Sequence, residues 1–254
     1  MTLPSEQYVS GQYLEKNPTW DVEDSAWKAN QVFKMLERNK LQLSEFVEVG
    51  CGAGAVLAEL SCKYPLAKFV GYDISPDAAK FWSTYASKNI SFFIGDFQKK
   101  NDRHFDVLLL LDVVEHVENP FSFLAALNGC ADHFIFIIPL DLSAFSVLRE
   151  SPLLYARSKT GHIHYFTKGL AVSLLDECGF EVVEAIYTDA AFTTPNMTWR
   201  TKLAMLPRYL LNMINRDMGV RLLGGDSLIV LAKSRVKKKQ TTKPRETISN
   251  LAVF

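Results

Sequence analysis

The chain has 254 residues, which suggests one elaborated domain. Its 28 lysines and arginines balance its 28 aspartates and glutamates, so the net charge gives no reason to expect a nucleic acid or an acidic membrane as a partner. The four cysteines are scattered and no apolar run approaches the roughly 20 residues of a membrane helix, so we expect a protein of the reducing cytoplasm.

The first 44 residues are expected to form an arm and a helix that cover part of a site on the domain that follows. Residues 1–20 mix polar and aromatic side chains without periodicity, which predicts an irregular arm. A helix is predicted over Asp21–Asn39 because Ala29, Val32 and Leu36 recur at helical spacing.

Strands and helical segments alternate through the rest of the chain. The predicted strands are Phe46–Val49, Lys68–Tyr72, Ile90–Ile94, Phe105–Leu111, His133–Ile138, Glu181–Thr188 and Ser227–Ala232. This alternation predicts an α/β domain with a parallel sheet over 45–233. Two insertions, 140–166 and 189–225, interrupt it, and the polar tail 234–254 is predicted to be disordered.

A glycine-rich stretch joins the first strand to the next helical segment. Glycine has no Cβ, so Gly50, Gly52 and Gly54 allow a sharp turn and a close approach of a ligand to the backbone. Read as Gly50-x-Gly52-x-x-Ala55, the stretch fits a dinucleotide site. Glu48 favours S-adenosylmethionine (SAM) instead, because SAM carries a sulfonium and an ammonium group, whereas a pyrophosphate disfavours a nearby anion.

An acid follows the second predicted strand beside the glycine loop. Asp73 would lie at the carboxyl end of that strand, where ligands bind in open α/β sheets. A carboxylate there can accept hydrogen bonds from both ribose hydroxyls of a nucleoside cofactor. We therefore interpret Asp73 as a ribose-binding residue.

Taken together, these segments resemble the class I SAM-dependent methyltransferases. The resemblance is strongest to the branch of ubiquinone-biosynthesis O-methyltransferases and of the group called methyltransferase domain 11 or 23. The motifs that carry it are Glu48–Gly54, Gly71–Asp73, Gly95-Asp96, Phe105-Asp106 through Val117, and His164–Thr167 leading to Phe180. The resemblance implies a Rossmann-like, seven-stranded, mostly parallel sheet with helices on both faces and an antiparallel last strand. It also implies SAM as cofactor and S-adenosylhomocysteine as product.

The resemblance further implies roles for individual residues. A basic residue near Lys28 meets the SAM carboxylate in ubiquinone-type enzymes, the acid after the third strand (Asp96) accepts from the adenine amino group, and Phe97 can pack against the adenine face. The full expected cofactor-binding set is Lys28, Glu48, Gly50, Gly52, Gly54, Asp73, Ile74, Asp96, Phe97 and Leu111.

Catalysis at a hydroxyl acceptor needs a base or a metal ion. His116 and His164 (with His162 beside it) follow the fourth and fifth strands, and we expect the base among them. A divalent-metal site is the less favoured alternative. It is considered because such sites in related enzymes use an acid-x-x-Glu-His stretch. Its residues here would be Asp112, Glu115, His116 and His164, with Asp in place of the usual first Glu.

The sequence favours a small-molecule acceptor that is methylated on oxygen. A helical apolar stripe with basic residues over Trp199–Arg216 predicts a lid, or else a membrane-surface contact that admits a lipidic acceptor. The alternatives are a nicotinamide-dependent reductase and a non-catalytic SAM-binding partner subunit. The balanced charge disfavours an RNA methyltransferase.

Overall fold

The computed structural model describes residues 6–194, 203 and 205–235. It contains a seven-stranded sheet with the strand order β3-β2-β1-β4-β5-β7-β6. The strands are β1 (Glu45–Val49), β2 (Lys68–Asp73), β3 (Ile90–Ile94), β4 (Phe105–Leu111), β5 (Ala131–Pro139), β6 (Phe180–Tyr187) and β7 (Ser227–Ser234). All seven predicted strands are present with shifts of at most two residues at their ends.

Helices lie before and between the strands in the described part of the chain. They are α1 (Glu6–Val9), α2 (Gln12–Lys16), α3 (Ser25–Arg38), α4 (Ala55–Lys63), α5 (Trp82–Tyr85), α6 (Phe97–Lys100), α7 (Pro120–Leu127), α8 (Ala144–Arg149), α9 (Ser151–Lys159), α10 (Lys168–Glu177), α11 (Ala190–Thr193), α12 (Met205–Ile214) and α13 (Arg216–Leu223). Short 3₁₀ turns occur at Val22–Asp24, Ala78–Phe81 and Val114–His116. In the described stretches, no helix combines the length and the apolar character that crossing a bilayer requires.

The arm differs from the irregular segment that the sequence predicted. It contains the short helices α1 and α2, and Tyr13 in α2 is buried. Helices this short gain most of their stability from tertiary packing, so their sequence carries little periodic signal. The predicted end of the domain at 233 falls one residue before the end of β7, and residues 236–254 of the tail lie outside the described part of the chain.

The sheet confirms the predicted α/β architecture. Strands β1 to β5 pair in parallel, and β7 is antiparallel to both β5 and β6. The carboxyl ends of β1, β2, β3, β4 and β5 therefore lie at one edge of the sheet, which is where the loops that carry the predicted site residues begin.

Two hydrophobic clusters form the core, one on each face of the sheet. Leu108 and Leu110 of β4 belong to one cluster, and Val107 and Leu109 belong to the other. Because β4 is covered on both faces, almost all its residues are apolar, as expected for a central parallel strand.

We expect Leu108→Ala to destabilise the fold strongly, because Leu108 is fully buried in the central strand and truncation leaves a cavity. The free energy of unfolding should fall by about 2–5 kcal/mol, measured by urea denaturation. Leu66→Ala is the matched control, since Leu66 is 98% exposed and its truncation should have an effect within about 0.5 kcal/mol. Equal effects of the two substitutions would contradict the placement of β4 at the centre.

Candidate active site

The glycine loop follows β1 at the carboxyl edge of the sheet. Gly50, Gly52 and Gly54 all have positive φ angles (77°, 51° and 85°), which side chains with a Cβ rarely adopt. A Cβ on Gly52 would lie 2.7 Å from the indole ring of Trp20, and one on Gly54 would lie 2.4 Å from the ring of Phe92. The glycines are therefore required both by the backbone conformation and by the closeness of neighbouring rings.

Asp73 holds this loop from the end of β2. Its Oδ2 accepts a hydrogen bond from the Gly52 N–H at 2.8 Å, and its Oδ1 accepts one from the Ser75 N–H at 2.8 Å. Each carboxylate oxygen has two acceptor positions, so one on each oxygen is left after these two bonds. Asp73 can therefore position the loop and still accept from two ligand hydroxyls.

A cavity of about 530 Å³ opens beside the loop. It is bounded by residues from β1, β2, the loops after β3 and β4, α7 and the arm; among them are Tyr8, Tyr13, Trp20, Gly50, Asp73, Ile74, Asp96, Phe97, Asp112, His116, Val117 and Phe123. A cavity of this size suits a ligand of cofactor dimensions. The structure thus brings Gly50, Asp73, Ile74, Asp96, Phe97 and His116 of the expected set to one place.

Asp96 and Phe97 meet the cavity in different ways. Asp96 caps α6, where its Oδ1 accepts from the Gln98 N–H at 3.0 Å. Phe97 is only 2% exposed, and its ring packs edge-on against Tyr72 with 5.1 Å between centroids. Phe97 is thus a core residue that forms part of the cavity wall, whereas Asp96 is accessible to a ligand.

A smaller polar cavity of about 50 Å³ also borders Gly50 and is lined by four more residues of the expected set: Lys28, Glu48, Gly54 and Leu111. Gly52 lines neither cavity. Lys28 Nζ forms an ion pair with Asp112 Oδ2 at 2.8 Å. Burial alone would lower the pKa of Lys28, but the carboxylates of Asp112, Asp24 and Asp21, of which Asp112 contributes most, together outweigh burial and raise it. The ammonium group carries three donors, and the ion pair with Asp112 occupies one of them.

Glu48 is a buried acid with an unpartnered oxygen. The residue is 2% exposed, and Oε2 has no hydrogen-bond partner among the described residues. Burial raises the pKa of Glu48 to about 8; Lys28 lowers it by a smaller amount. The carboxyl group is therefore mainly protonated at neutral pH, and a cationic ligand would favour its ionised form.

The arm contributes three aromatic residues that the sequence analysis did not assign to the site. The rings of Tyr8 and Tyr13, and those of Tyr13 and Trp20, pack against each other in a tilted arrangement, with 4.9 Å between ring centroids in each pair. The Tyr8 carbonyl accepts from the Ser75 hydroxyl at 2.5 Å, which ties the arm to the loop after β2. The only sequence signal was the recurrence of aromatic residues in a segment expected to fold over the site.

His116 lies at the cavity wall beside the arm. Its Nδ1 is 2.8 Å from the Tyr8 hydroxyl and 3.2 Å from the Gly161 carbonyl oxygen. The Tyr8 hydroxyl donates its proton to the Thr160 carbonyl oxygen at 3.2 Å, and the Gly161 carbonyl can only accept, so these contacts together place the proton on Nδ1 and the lone pair on Nε2. Burial and the neighbouring His162 lower the pKa of His116 to about 4, so the imidazole is neutral at pH 7.

His164, the other expected base, is placed elsewhere. Its Nε2 contacts the Val117 carbonyl oxygen at 2.9 Å, and neither cavity is lined by it. His162 is the histidine that lies next to His116, with 4.9 Å between ring centroids, and its Nδ1 contacts Asp141 Oδ2 at 2.6 Å. The sequence could not separate the two, because they are two residues apart in an irregular segment.

Glu115, His116 and His162 could together hold a metal ion, since their ligand atoms lie within 4.8 Å of one another. Both carboxyl oxygens of Glu115 are buried without a hydrogen-bond partner among the described residues, and burial raises the pKa of Glu115 well above its usual range. Of the four residues expected for a metal site, Asp112 is paired with Lys28 instead, and His164 lies apart from this group.

The donor set around the glycine loop fits SAM better than a dinucleotide. Asp73, Asp96 and Asp112 line the large cavity and Glu48 the small one, while Lys28, already paired with Asp112, is the one lysine or arginine among the described residues that line either cavity. A pyrophosphate would meet carboxylates there, whereas a sulfonium and an ammonium group would be stabilised by them.

A family model described as a methyltransferase domain matches residues 26–185. The chain belongs to this methyltransferase family. Membership and the seven-stranded fold together identify a class I SAM-dependent methyltransferase domain, whose cofactor is SAM and whose product is S-adenosylhomocysteine. The alternative of a nicotinamide-dependent reductase does not agree with this membership.

Two curated relatives of the methyltransferase act on different atoms, as their names state. N-methyltransferase 4 of Papaver somniferum is 26% identical over 110 residues, which are 39% of this chain and 31% of that protein. The ubiquinone biosynthesis O-methyltransferase of Rickettsia bellii is 26% identical over 88 residues, 34% of this chain and 37% of that protein. The match thus spans about a third of each relative and leaves the acceptor atom open.

Solved structures share the fold of the methyltransferase. The methyltransferase in complex with the Trm112 activator from Haloferax volcanii has a TM-score of 0.61 at 16% identity, over 93% of this chain and 99% of that one. The N-methyltransferase NodS of Bradyrhizobium japonicum, in complex with S-adenosylhomocysteine, has a TM-score of 0.51 at 15% identity, over 82% and 85% of the chains.

We expect Glu48 to make the methyltransferase less stable as the pH rises. The unfolded chain releases this proton near pH 4.5 and the folded protein near pH 8, so the folded state binds more protons between these values. The free energy of unfolding, relative to Glu48→Gln, should therefore fall with pH in that window, by at most about 1.4 kcal/mol per pH unit. Urea denaturation at several pH values measures it.

Glu59→Gln serves as the control for this comparison, because Glu59 is exposed on α4. The free energy of unfolding of this variant should vary with pH as that of the wild type does. A wild type and a Glu48→Gln variant with parallel pH profiles would show that Glu48 ionises normally in the folded protein.

Proposed function

We propose that the methyltransferase binds SAM across the glycine loop and methylates a small-molecule acceptor at an oxygen atom. The observation that supports this proposal most is the convergence of Gly50, Asp73, Asp96 and His116 on one cavity at the carboxyl edge of the sheet. The cavity is thus lined both by residues suited to binding a nucleoside cofactor and by the neutral imidazole of His116.

Each acid has a part in holding the cofactor. Asp73 would accept from the ribose hydroxyls with its two remaining acceptor positions, and Asp96 would accept from the adenine amino group. Glu48 would face the cationic amino acid end, where its unpartnered oxygen gains a partner. Lys28 has donors left for the carboxylate of that end while it remains paired with Asp112.

The cover of the cavity supports a small organic acceptor. Tyr8, Tyr13 and Trp20 of the arm and Val117 and Phe123 beyond β4 give largely apolar and aromatic walls. The balanced charge of the chain adds no electrostatic footprint for a nucleic acid. The arm therefore acts as the cover of the acceptor site in this proposal.

A hydroxyl acceptor must lose its proton during transfer. SAM, when bound, supplies a methyl group on a sulfonium that is already activated for displacement, so alignment of the acceptor contributes most of the catalysis. His116 would accept the hydroxyl proton at Nε2, since Nδ1 already donates to the Gly161 carbonyl. Tyr8 holds the imidazole from the arm side through its hydroxyl.

The direct test has two parts: calorimetric titration with SAM, S-adenosylhomocysteine and NADH, and an activity screen with matched phenols and anilines. Micromolar binding of the first two ligands, no binding of NADH and turnover of phenols alone would support the proposal. Turnover of anilines alone would move the acceptor atom to nitrogen. Binding of SAM with no turnover of any acceptor would support a non-catalytic SAM-binding subunit.

We expect Asp73→Ala to weaken SAM binding by at least about tenfold in calorimetric titration. The variant loses charge-assisted hydrogen bonds, which contribute about 1.5–3 kcal/mol each, and frees the glycine loop. Asp102→Ala is the matched control, because Asp102 is exposed in the loop before β4 at the opposite edge. Unchanged affinity in a folded Asp73→Ala variant would refute the ribose role.

We expect His116→Ala to lower kcat by at least about 10²-fold while SAM affinity changes by less than about twofold. His104→Ala, at the amino edge of the sheet, should keep full activity. Because the unprotonated imidazole is the active form and its pKa is about 4, wild-type kcat should not fall as the pH is lowered from 8 through 6.5. A fall through 6.5, or loss of activity on treatment with a chelator, would contradict the role of His116 as a metal-free base.

A further inference from the structure

Helix α12 is packed with its more apolar side outward. Leu206, Tyr209, Leu210, Met213 and Ile214 are 66%, 55%, 53%, 69% and 83% exposed. They recur at spacings of three and four residues, so they share one face of the helix. None of the described residues of α12 is buried.

The inward side of α12 is the polar side. Arg208 donates to the Leu223 carbonyl oxygen at 3.4 Å, and a Cβ on Gly219 of α13 would lie 2.2 Å from Asn212 Oδ1. These contacts direct Arg208 and Asn212 towards α13 and the turn that follows it. The orientation of the helix is therefore set by polar contacts, and its apolar face is left towards solvent, which is typical of an interaction surface.

The helices around this face are basic. Helix α13 contacts both α12 and α8, and α8 contacts α9. Segments 144–159 and 205–223 together contain six basic and two acidic residues. Arg208 faces α13, and Arg216 is paired with Asp189 and Asp226, so neither is counted for the surface. The remaining cations are Arg149, Arg157, Lys159 and Arg221 and the acids are Glu150 and Asp217, a net charge of +2 in a chain whose net charge is zero. Leu148 and Tyr155 add apolar side chains that are 86% and 64% exposed.

This group of helices lies at the edge of the sheet that holds the cavity. Helices α8 and α9 follow the carboxyl end of β5, and α12 and α13 follow that of β6, which runs parallel to β5 because both are antiparallel to β7. A surface that contacts this group would therefore lie on the cavity side of the molecule.

We propose that α12, flanked by α8, α9 and α13, docks on an anionic lipid surface. A helix with an exposed apolar face and basic surroundings lies in the plane of a membrane interface, with its apolar side chains among the acyl chains and its cations near the lipid phosphates. The charge argues against a second copy of the chain as occupant, since two surfaces of net charge +2 would repel each other.

The test is co-sedimentation of the full chain with vesicles of phosphatidylcholine alone or mixed with phosphatidylglycerol. The wild type should bind the anionic vesicles, and added salt should weaken the binding. Leu210→Glu/Met213→Glu should reduce the partition coefficient by at least about tenfold, because it removes apolar contacts and adds negative charge. Leu66→Glu, which changes a 98% exposed leucine before β2 at the amino edge, should bind like the wild type.

Calorimetric titration of each variant with SAM separates this proposal from the proposed function, because α12 contributes no residue to either cavity. Unchanged SAM affinity shows that the double variant is folded, so its loss of vesicle binding then supports the docking surface. Equal vesicle binding by the double variant, or no binding by the wild type, would overturn the proposal. So would a wild-type dimer, seen by light scattering, that the double substitution dissociates.

Discussion

The carboxylate of Asp73 connects the parts from which the cavity is built. One of its oxygens holds the Gly52 N–H and the other holds the Ser75 N–H, each at 2.8 Å, so the loops after β1 and β2 keep a fixed relation. The Ser75 hydroxyl in turn donates to the Tyr8 carbonyl, so the arm depends on the same contacts. One acid thus links the glycine loop of the cavity to the arm that covers it.

Titratable side chains are concentrated at this edge of the sheet. The ion pair of Lys28 and Asp112 compensates two of the charges, whereas Glu48 and Glu115 have unpartnered oxygens and pKa values that burial raises. Uncompensated acids cost stability in the ligand-free protein, and such local conflicts are typical of functional sites. In the proposed function, a cationic cofactor would relieve the conflict at Glu48 and so stabilise the occupied site.

The elements that could be predicted most closely are those whose local pattern agrees with their environment. The bounds of β3 and β4 match the prediction residue for residue. In β4 every residue except Asp106 is apolar, because both faces of this strand are covered. The glycines of the loop were also predictable, since positive φ angles leave few other residue types. The arm was not, because its short helices depend on packing against residues far away in the chain.

By itself, the sequence determined the order of strands and helices, the glycine loop and the acids at the carboxyl ends of β1, β2 and β3, because strand period, loop conformation and charge are local properties. Only the tertiary structure decided that His162 rather than His164 meets His116, and that the arm supplies Tyr8 to the same imidazole. It also decided that α12 presents its apolar face to solvent, since a helical stripe shows which residues share a face but not where that face points. Those features depend on contacts between residues tens to more than a hundred positions apart, which no local pattern records.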